Sequence, residues 1–370
     1  MNILIAADFA SSTSGNFIAS CVELGRKLKS GKSRLSFIFP ENDNTLREDS
    51  WTGWLRREGF AVHLFRKGDE ELSFLKSVIT QDEIDILHIH FGLFLRTSRK
   101  HARDLGVKIL IHDHMDFPAG RSRLKQRALC AFRSISYRAN GISIVCVNRY
   151  KANAYCFARR WYVPNGLSLI RNVTHSLSRE ECRNELCIAQ DEKVCLFLGW
   201  DKYRKGLDIA VKAIDELNKN GFKMLLCTVG LGNPPDSEVS AFLKETTGID
   251  ANVSWIRYLP SREDMFAYYR LTDVYLSASR SEAFAYGILE AISQNKPVVV
   301  SDIKGTDWCH EYNKVVIYPT ENSHKCSEAI KKAFSIKDEF SNADEIVDKY
   351  SIEKWCRKML IIYNTLDGNK

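Results

Sequence analysis

Two glutamates eight residues apart, Glu282 and Glu290, lie in the stretch Ser-x-Ser-Glu-Ala-Phe-Ala-Tyr-Gly-Ile-Leu-Glu-Ala from Ser279 to Ala291. A strand at Val274–Ser277 followed by a helix from about Ala283 gives this spacing a rise of ~12 Å and a rotation of ~80°, so both carboxylates share a side but stand far apart. Glycoside hydrolysis needs carboxyl groups about 5–9.5 Å apart, which this spacing does not provide. It suits the two ends of one extended ligand. Between them, the amides of Phe284, Ala285 and Tyr286 open the helix, where unsatisfied N–H groups favour an anion such as a diphosphate. The small residues Ala283, Ala285 and Gly287 let that backbone approach a ligand closely. Two glutamates on a solvated helix face are the plain alternative, and the strand–turn–small-residue–helix context argues against it.

A second segment, Leu196–Asp208, reads as a strand ending at Gly199 and a turn carrying Lys202, Arg204 and Lys205. Cations at that turn can clamp phosphate oxygens, or they are ordinary basic residues of a surface loop. In the first half, Gly15 opens a helix after the first strand. Two His-x-His pairs end strands, one containing His90 and the other pairing His112 with His114 around Asp113. Such pairs can bind metal, but no Cys joins them at zinc-like spacing, so no metal and no cofactor is expected.

The elements that must position these residues alternate as βαβα. Strand patterns fall at Asn2–Ala7, Leu35–Phe39, Ala61–Phe65, Ile84–His90, Lys108–His112, Ile142–Val147 and Trp161–Val163, with helical patterns such as Gly15–Ser30 and Arg121–Arg138 between them. Strands apolar on both faces predict parallel sheets covered by helices. Pro164-Asn165-Gly166 closes the first set, and the alternation restarts at Val194–Leu198. The expected fold is α/β, two doubly wound Rossmann-like domains facing across a cleft. They cover 1–166 on the acceptor side and 192–350 on the nucleotide-sugar side, joined by a linker at 167–191. A helix over 351–370 packs back on the first domain. Ligands of open α/β sheets bind beyond the carboxyl ends of the strands, where all the residues named above lie.

The 370 residues are too many for one ordinary core, and 27% charged residues with 8 Pro and 20 Gly describe a globular chain rather than a disordered or collagenous one. No apolar run approaches the ~18 residues of a membrane-spanning helix. Asp8 and the lack of a basic leader argue against a signal peptide. Eleven scattered Cys without a Cys-x-x-Cys pair point to a reducing compartment, so a cytoplasmic location is expected. Residues 96–171 hold sixteen Lys/Arg against three Asp, +13 in a chain whose total is +7. The segment Arg121–Arg138 has six Lys/Arg, no acid, and Leu124, Leu129, Phe132 and Ile135 among its apolar residues. Arg121, Arg123, Lys125 and Arg127 form its cationic start. No nucleic-acid-binding module is recognisable, and nucleic acid is not an expected partner. An anionic membrane surface fits better, at the inner face of the plasma membrane.

Together these segments resemble the retaining glycosyltransferases of family four, of the glycosyltransferase group 1 type, which have the GT-B architecture. The family's E-x7-E is Glu282…Glu290, its G-R-x-x-x-K-G is Gly199…Lys205-Gly206 with Trp200 in place of the Arg, and its glycine loop is Gly230-Leu231-Gly232-Asn233-Pro234. Val163–Gly166 and Pro297–Asp302 with Gly305 match further motifs. The resemblance implies that Glu290 binds ribose hydroxyls of a nucleotide-sugar donor and Glu282 those of the transferred sugar. It implies that Lys205 and the amides near Phe284 and Ala285 hold the diphosphate, with Arg204 or Lys202 standing in for the missing Arg. His112 matches the family's His beside the reacting sugar, and Asp113, His114 and Asp116 are candidates for orienting a glycan or lipid-linked acceptor. The absence of Asp-x-Asp agrees with metal-independent chemistry. The resulting expectation is a hexosyltransferase-type enzyme of surface polysaccharide biosynthesis. A sugar-nucleotide epimerase of the same fold and a non-catalytic polyanion- or nucleotide-binding protein are the alternatives.

Overall fold

A computed structural model describes residues 1–117, 122–172, 177–336 and 341–368. The chain forms two compact units, Met1–Ser168 with Tyr350–Lys370, and Leu169–Lys349.

The first unit is built on seven parallel strands, β1 (Asn2–Ala7), β2 (Arg34–Pro40), β3 (Ala61–Phe65), β4 (Ile86–His90), β5 (Lys108–Asp113), β6 (Ile142–Cys146) and β7 (Arg159–Tyr162), in the order β3-β2-β1-β4-β5-β6-β7. β1, β4, β5 and β6 are buried along most of their length and mainly apolar apart from the histidines of β4 and β5, as strands covered by helices on both faces must be. The strand order reverses between β1 and β4. Residue by residue Ala7 lies beside His90, and His90 beside His112. This register brings the ends of three strands to one place.

The helix Ile352–Asp367 belongs to this unit. Leu167 donates to Tyr350 O at 2.8 Å and accepts from Ile352 N at 3.2 Å, and Ile352, Trp355, Met359, Ile362 and Tyr363 are buried. A Cβ at Gly166 would lie 2.5 Å from Trp355 Cβ, so only glycine lets the chain pass this helix.

The second unit has six parallel strands, β8 (Val194–Leu198), β9 (Leu225–Val229), β10 (Ile256–Leu259), β11 (Val274–Ser277), β12 (Val298–Ser301) and β13 (Val315–Tyr318), in the order β10-β9-β8-β11-β12-β13. Its order reverses between β8 and β11. Its core includes Leu196, Leu226 and Leu276 of the strands and Ile209, Ile214 and Leu217 of the helix Leu207–Lys219, all buried.

The stretch 167–191, expected as a linker, contains a helix, Arg179–Glu185, with a Ser178/Glu181 capping box. Arg183 is fully buried there and donates to Leu271 O, Ala189 O, Glu192 O and the Asp273 carboxylate at 2.7–2.9 Å. One guanidinium meeting five acceptors, with Gln190 O at 3.1 Å the fifth, fixes this segment to the second sheet, which hydrophobic periodicity alone does not reveal.

Candidate functional site

In the second unit the loops after β8 and β11 flank the reversal of strand order, the place where open α/β sheets bind ligands. The helix after β11 starts at Tyr286, three residues later than its periodicity implies, and runs to Ser293. Residues 278–285 form an irregular loop, so Glu282 sits on the loop and Glu290 on the helix. Ala285 at the N-cap supplies no side-chain cap to the first turn. Two glycines set the packing. A Cβ on Gly287 would lie 2.3 Å from the Tyr275 hydroxyl oxygen, and one on Gly305 only 1.7 Å from the Glu282 carbonyl oxygen. The Gly305 loop therefore lies directly against Glu282.

Glu282 is buried. It pairs with the Lys205 ammonium, accepts from Ser279 Oγ at 2.8 Å, and has Arg204 at 3.7 Å. Burial alone would raise its carboxyl. The Lys205 and Arg204 charges outweigh that and hold it below the usual carboxylate range. Arg204 is anchored by the Asp201 carboxylate at 3.2 Å, donates to Ser281 O at 3.2 Å and lies over the exposed Trp200 ring. Lys202 instead pairs with Glu238 at 2.9 Å. Of the two cations weighed against the missing Arg, Arg204 is therefore the one beside Glu282.

Lys205 reaches this position because Gly206 turns the chain at φ +75°, its backbone so close to Ala278 O that a Cβ would meet it at 2.1 Å. Arg280 ties the two loops together. It makes a two-pronged pair with Asp208 at 2.9 and 2.8 Å and lies over the Tyr203 ring, while its amide donates to Arg204 O. Glu290 is buried and accepts from the Tyr269 hydroxyl at 2.7 Å. Phe284 stacks on Trp308 with ring centroids 4.2 Å apart.

In the first unit, Gly15 takes φ +55° at the start of the helix Gly15–Ser30. β4 and β5 bring four imidazoles together. His88 Nε2 meets His112 Nδ1 at 3.2 Å, His88 Nδ1 meets the Tyr363 hydroxyl at 2.7 Å, and His90 Nδ1 meets His114 Nε2 at 2.8 Å. Burial pushes all four well below the usual histidine value, reinforced at His88, His90 and His112 by neighbouring imidazoles and at His114 by the Lys151 ammonium, which Asp113 opposes. His88 falls to about 3 and His114 to about 4, so the cluster is neutral near pH 7. His112 Nε2 is buried without a hydrogen-bond partner among the described residues, a donor or acceptor that a ligand would satisfy.

His88, His90 and His112 can each offer a ring nitrogen within 4.8 Å of the others. Both nitrogens of His88 are already hydrogen-bonded, so a metal there would have to displace one of these partners.

Asp113 does not project toward an open space. Its carboxylate takes Lys151 at 2.9 Å, Tyr155 at 3.1 Å and the Met115 amide at 3.0 Å. That saturation makes it a brace for the segment after β5 rather than a group poised for an acceptor. Asp116 is half-buried and accepts from the Phe117 amide at 2.5 Å.

Arg123, Lys125 and Arg127 begin the helix Arg123–Ala139, on which Leu124, Leu129, Phe132 and Ile135 are exposed. Arg121 lies outside the described residues. No helix among them is long and apolar enough to cross a membrane.

Sequence reasoning missed Tyr269, Lys151, Tyr155 and Tyr363 as partners of these groups. Tyr363 is 275 residues from His88, and no local pattern connects them. Ser279 stands three residues before Glu282 and was within reach of the motif.

Residues 178–351 match the family model described as glycosyl transferases group 1. A stretch of 146 residues is 30% identical to the lipopolysaccharide glucosyltransferase WaaG of Escherichia coli K12, covering 39% of this chain and 37% of that protein. The chain spans about a third of the length of the curated relatives it matches. Among solved structures, a glycosyltransferase from Rickettsia africae superposes with TM-score 0.78 at 17% identity, over 100% of this chain and 99% of that one. The Anabaena protein HepE in complex with UDP and glucose superposes with TM-score 0.76 at 14% identity, over 99% and 100%. These likenesses establish the fold as GT-B.

Proposed function

We propose that this protein is a metal-independent, retaining glycosyltransferase. It moves a hexose from a nucleotide-diphosphate sugar to a lipid-linked glycan acceptor in surface polysaccharide biosynthesis. The observation that carries the reading is the Lys205–Glu282–Ser279 constellation, placed where the strand order reverses and beside a helix whose first turn has no side-chain cap. A diphosphate supplies what that arrangement calls for, an anion for Lys205, Arg204 and the amides at Phe284, Ala285 and Tyr286. Glu282 receives hydroxyls of the transferred sugar. Glu290, oriented through one oxygen by Tyr269, receives those of the ribose. That a protein of the same fold has been solved with UDP and glucose supports a nucleotide-sugar as donor.

In the reaction, the acceptor hydroxyl attacks the anomeric carbon from the face that the diphosphate leaves. The bond from that carbon to the phosphate oxygen breaks, and the departing oxygen takes the hydroxyl proton. No enzyme nucleophile is required. Catalysis comes from positioning and from Lys205 and Arg204 stabilising charge on the leaving oxygen. His112, neutral and with an unsatisfied Nε2, is assigned a hydrogen bond to the reacting sugar. The exposed apolar residues and cations of the helix Arg123–Ala139 support a peripheral position on the cytoplasmic face of an anionic membrane.

Thermal-shift titration with UDP-, GDP- and ADP-sugars tests the donor. One nucleotide class should raise the unfolding temperature, and NMR of the product should show the donor's anomeric configuration retained. Glu282→Ala and Glu290→Ala should each reduce donor turnover by at least about 100-fold, which at ~1.4 kcal/mol per decade is the loss of ~2.7 kcal/mol of transition-state binding. Turnover at wild-type level in both variants would remove the proposed site.

A further inference from the structure

At the amino ends of β5, β6 and β7, a hollow of about 570 Å³ opens on the first unit, lined in part by Lys108, Arg138, Arg159, Arg160, Cys156 and Phe157. Lys108 begins β5, so the hollow lies at the opposite end of that strand from His112. The separation is roughly 13 Å at ~3.3 Å per residue. It is a separate place on the molecule from the histidine cluster, and it lies in a different unit from Glu282 and Lys205.

The hollow has four cations and no carboxylate in its lining. None of the four forms an ion pair among the described residues. Two of the guanidiniums are already oriented by backbone. Arg159 donates to Thr365 O at 3.2 Å and Arg160 to Cys156 O at 2.9 Å. Each arginine has five donors in a planar fork, so four donors on each remain after one is used. The side chains of Lys108 and Arg138 are exposed and form no hydrogen bond or ion pair among the described residues. Like charges gathered in a concave surface repel one another and focus a positive potential into it, and a bound anion reverses that cost. Phe157, half exposed, adds an apolar wall, and its amide donates to Ser134 Oγ at 3.1 Å. The volume is in the range of small-ligand sites.

We propose that this hollow is a binding site for a phosphate-bearing anion of about diphosphate size, with Arg138, Arg159, Arg160 and Lys108 as its ligands. The ring of Phe157 lies against the organic part next to the phosphate. The anion is either a soluble phosphate compound or the headgroup of a phospholipid. The proposal does not depend on the donor reading, because no residue is shared with that site.

Cys156 gives a local reporter. It is an exposed free thiol in the hollow, and Cys187, exposed in the other unit, is an internal control. Alkylation of the full chain by N-ethylmaleimide, a neutral reagent, is followed at both residues by peptide mapping. The additions are inorganic pyrophosphate, vesicles of phosphatidylglycerol in phosphatidylcholine, or sodium chloride at matched ionic strength. Pyrophosphate is expected to slow Cys156 at least fivefold with Cys187 unchanged, and a soluble ligand follows. If only the vesicles protect Cys156, the site is for a lipid headgroup. In a Lys108→Gln/Arg138→Gln variant with an unchanged unfolding temperature, protection should disappear. Equal Cys156 rates in all three additions, or protection that persists in the variant, overturns the proposal. Donor turnover measured on the same samples separates this result from any failure of the transferase reading.

Discussion

Glu282 and Lys205 show how one buried pair can serve two states. Without ligand, each neutralises the other at close range. In the proposed donor complex, the diphosphate gives Lys205 a second partner and frees the carboxylate for sugar hydroxyls. Glu282→Gln should therefore destabilise the second unit, by about 2 kcal/mol, because Lys205 is left partly buried without its partner. The double variant Glu282→Gln/Lys205→Met should recover most of that loss. Denaturant titrations of the four proteins measure the coupling, and additive losses would show that the pair contributes nothing. The histidines carry a pH signature of their own. Their folded values lie far below the unfolded value of about 6.5, so between those values the unfolded chain binds more protons. Stability should therefore be complete above pH ~6.5 and fall as the pH drops toward 4, by up to ~1.4 kcal/mol per pH unit for each histidine. Unfolding temperatures from pH 7 to 4.5 check this. Replacing His90 and His114 with Gln should flatten the slope, and an unchanged slope would place the titrating groups elsewhere.

At the scale of elements, the loop around Gly305 is the tightest constraint on the site. Gly305→Ala should push the Glu282 backbone out of place, costing on the order of 2 kcal/mol in stability and most of the donor-induced thermal shift. A full donor shift in that variant would show the loop to be compliant. For the helix Arg123–Ala139, charge and packing make separable contributions. Replacing Arg123, Lys125 and Arg127 with Gln should weaken binding to phosphatidylglycerol vesicles by about 100-fold, at ~1 kcal/mol per cation, with donor binding unchanged. Vesicle co-sedimentation reads the first and thermal shift the second. Elements with strong periodicity were legible. The strand Asn2–Ala7 and the helix Gly15–Ser30 lie where an apolar run ending at Asp8 and a repeating apolar stripe put them. The helix at Tyr286 was misread by one turn, because Ala283, Phe284 and Ala285 have helical composition while the passage of Gly305 beneath Glu282 holds them in a loop. The stretch 179–185 was read as connector because its anchor is one arginine meeting backbone carbonyls from distant residues, and hydropathy does not register that. The glutamate pair, Lys205 and His112 were visible as residue types at characteristic spacings. Their partners Tyr269 and Tyr363 were not, since each comes from an element brought near only by the fold.

On the whole molecule, the path of the chain matters more than its composition. It leaves the first unit at Ser168, completes the second, and returns at Tyr350 to finish the first. Ending the chain at residue 349 should strip Trp355, Met359, Ile362 and Tyr363 from that first unit and leave His88 without its hydroxyl partner. Hydrogen exchange should then show protection lost across the first sheet and kept in residues 169–349, and even protection in both would show the returning helix to be dispensable. The same path has a consequence during synthesis. As the polypeptide emerges from the ribosome, the second unit is all present before the segment that closes the first one appears. For the time it takes to translate the 181 residues of the second unit, at ~5–20 residues per second, the earlier sheet waits with an uncovered flank. Chaperone occupancy of nascent chains should therefore peak while the second unit is being made, and fall only after the returning helix has docked.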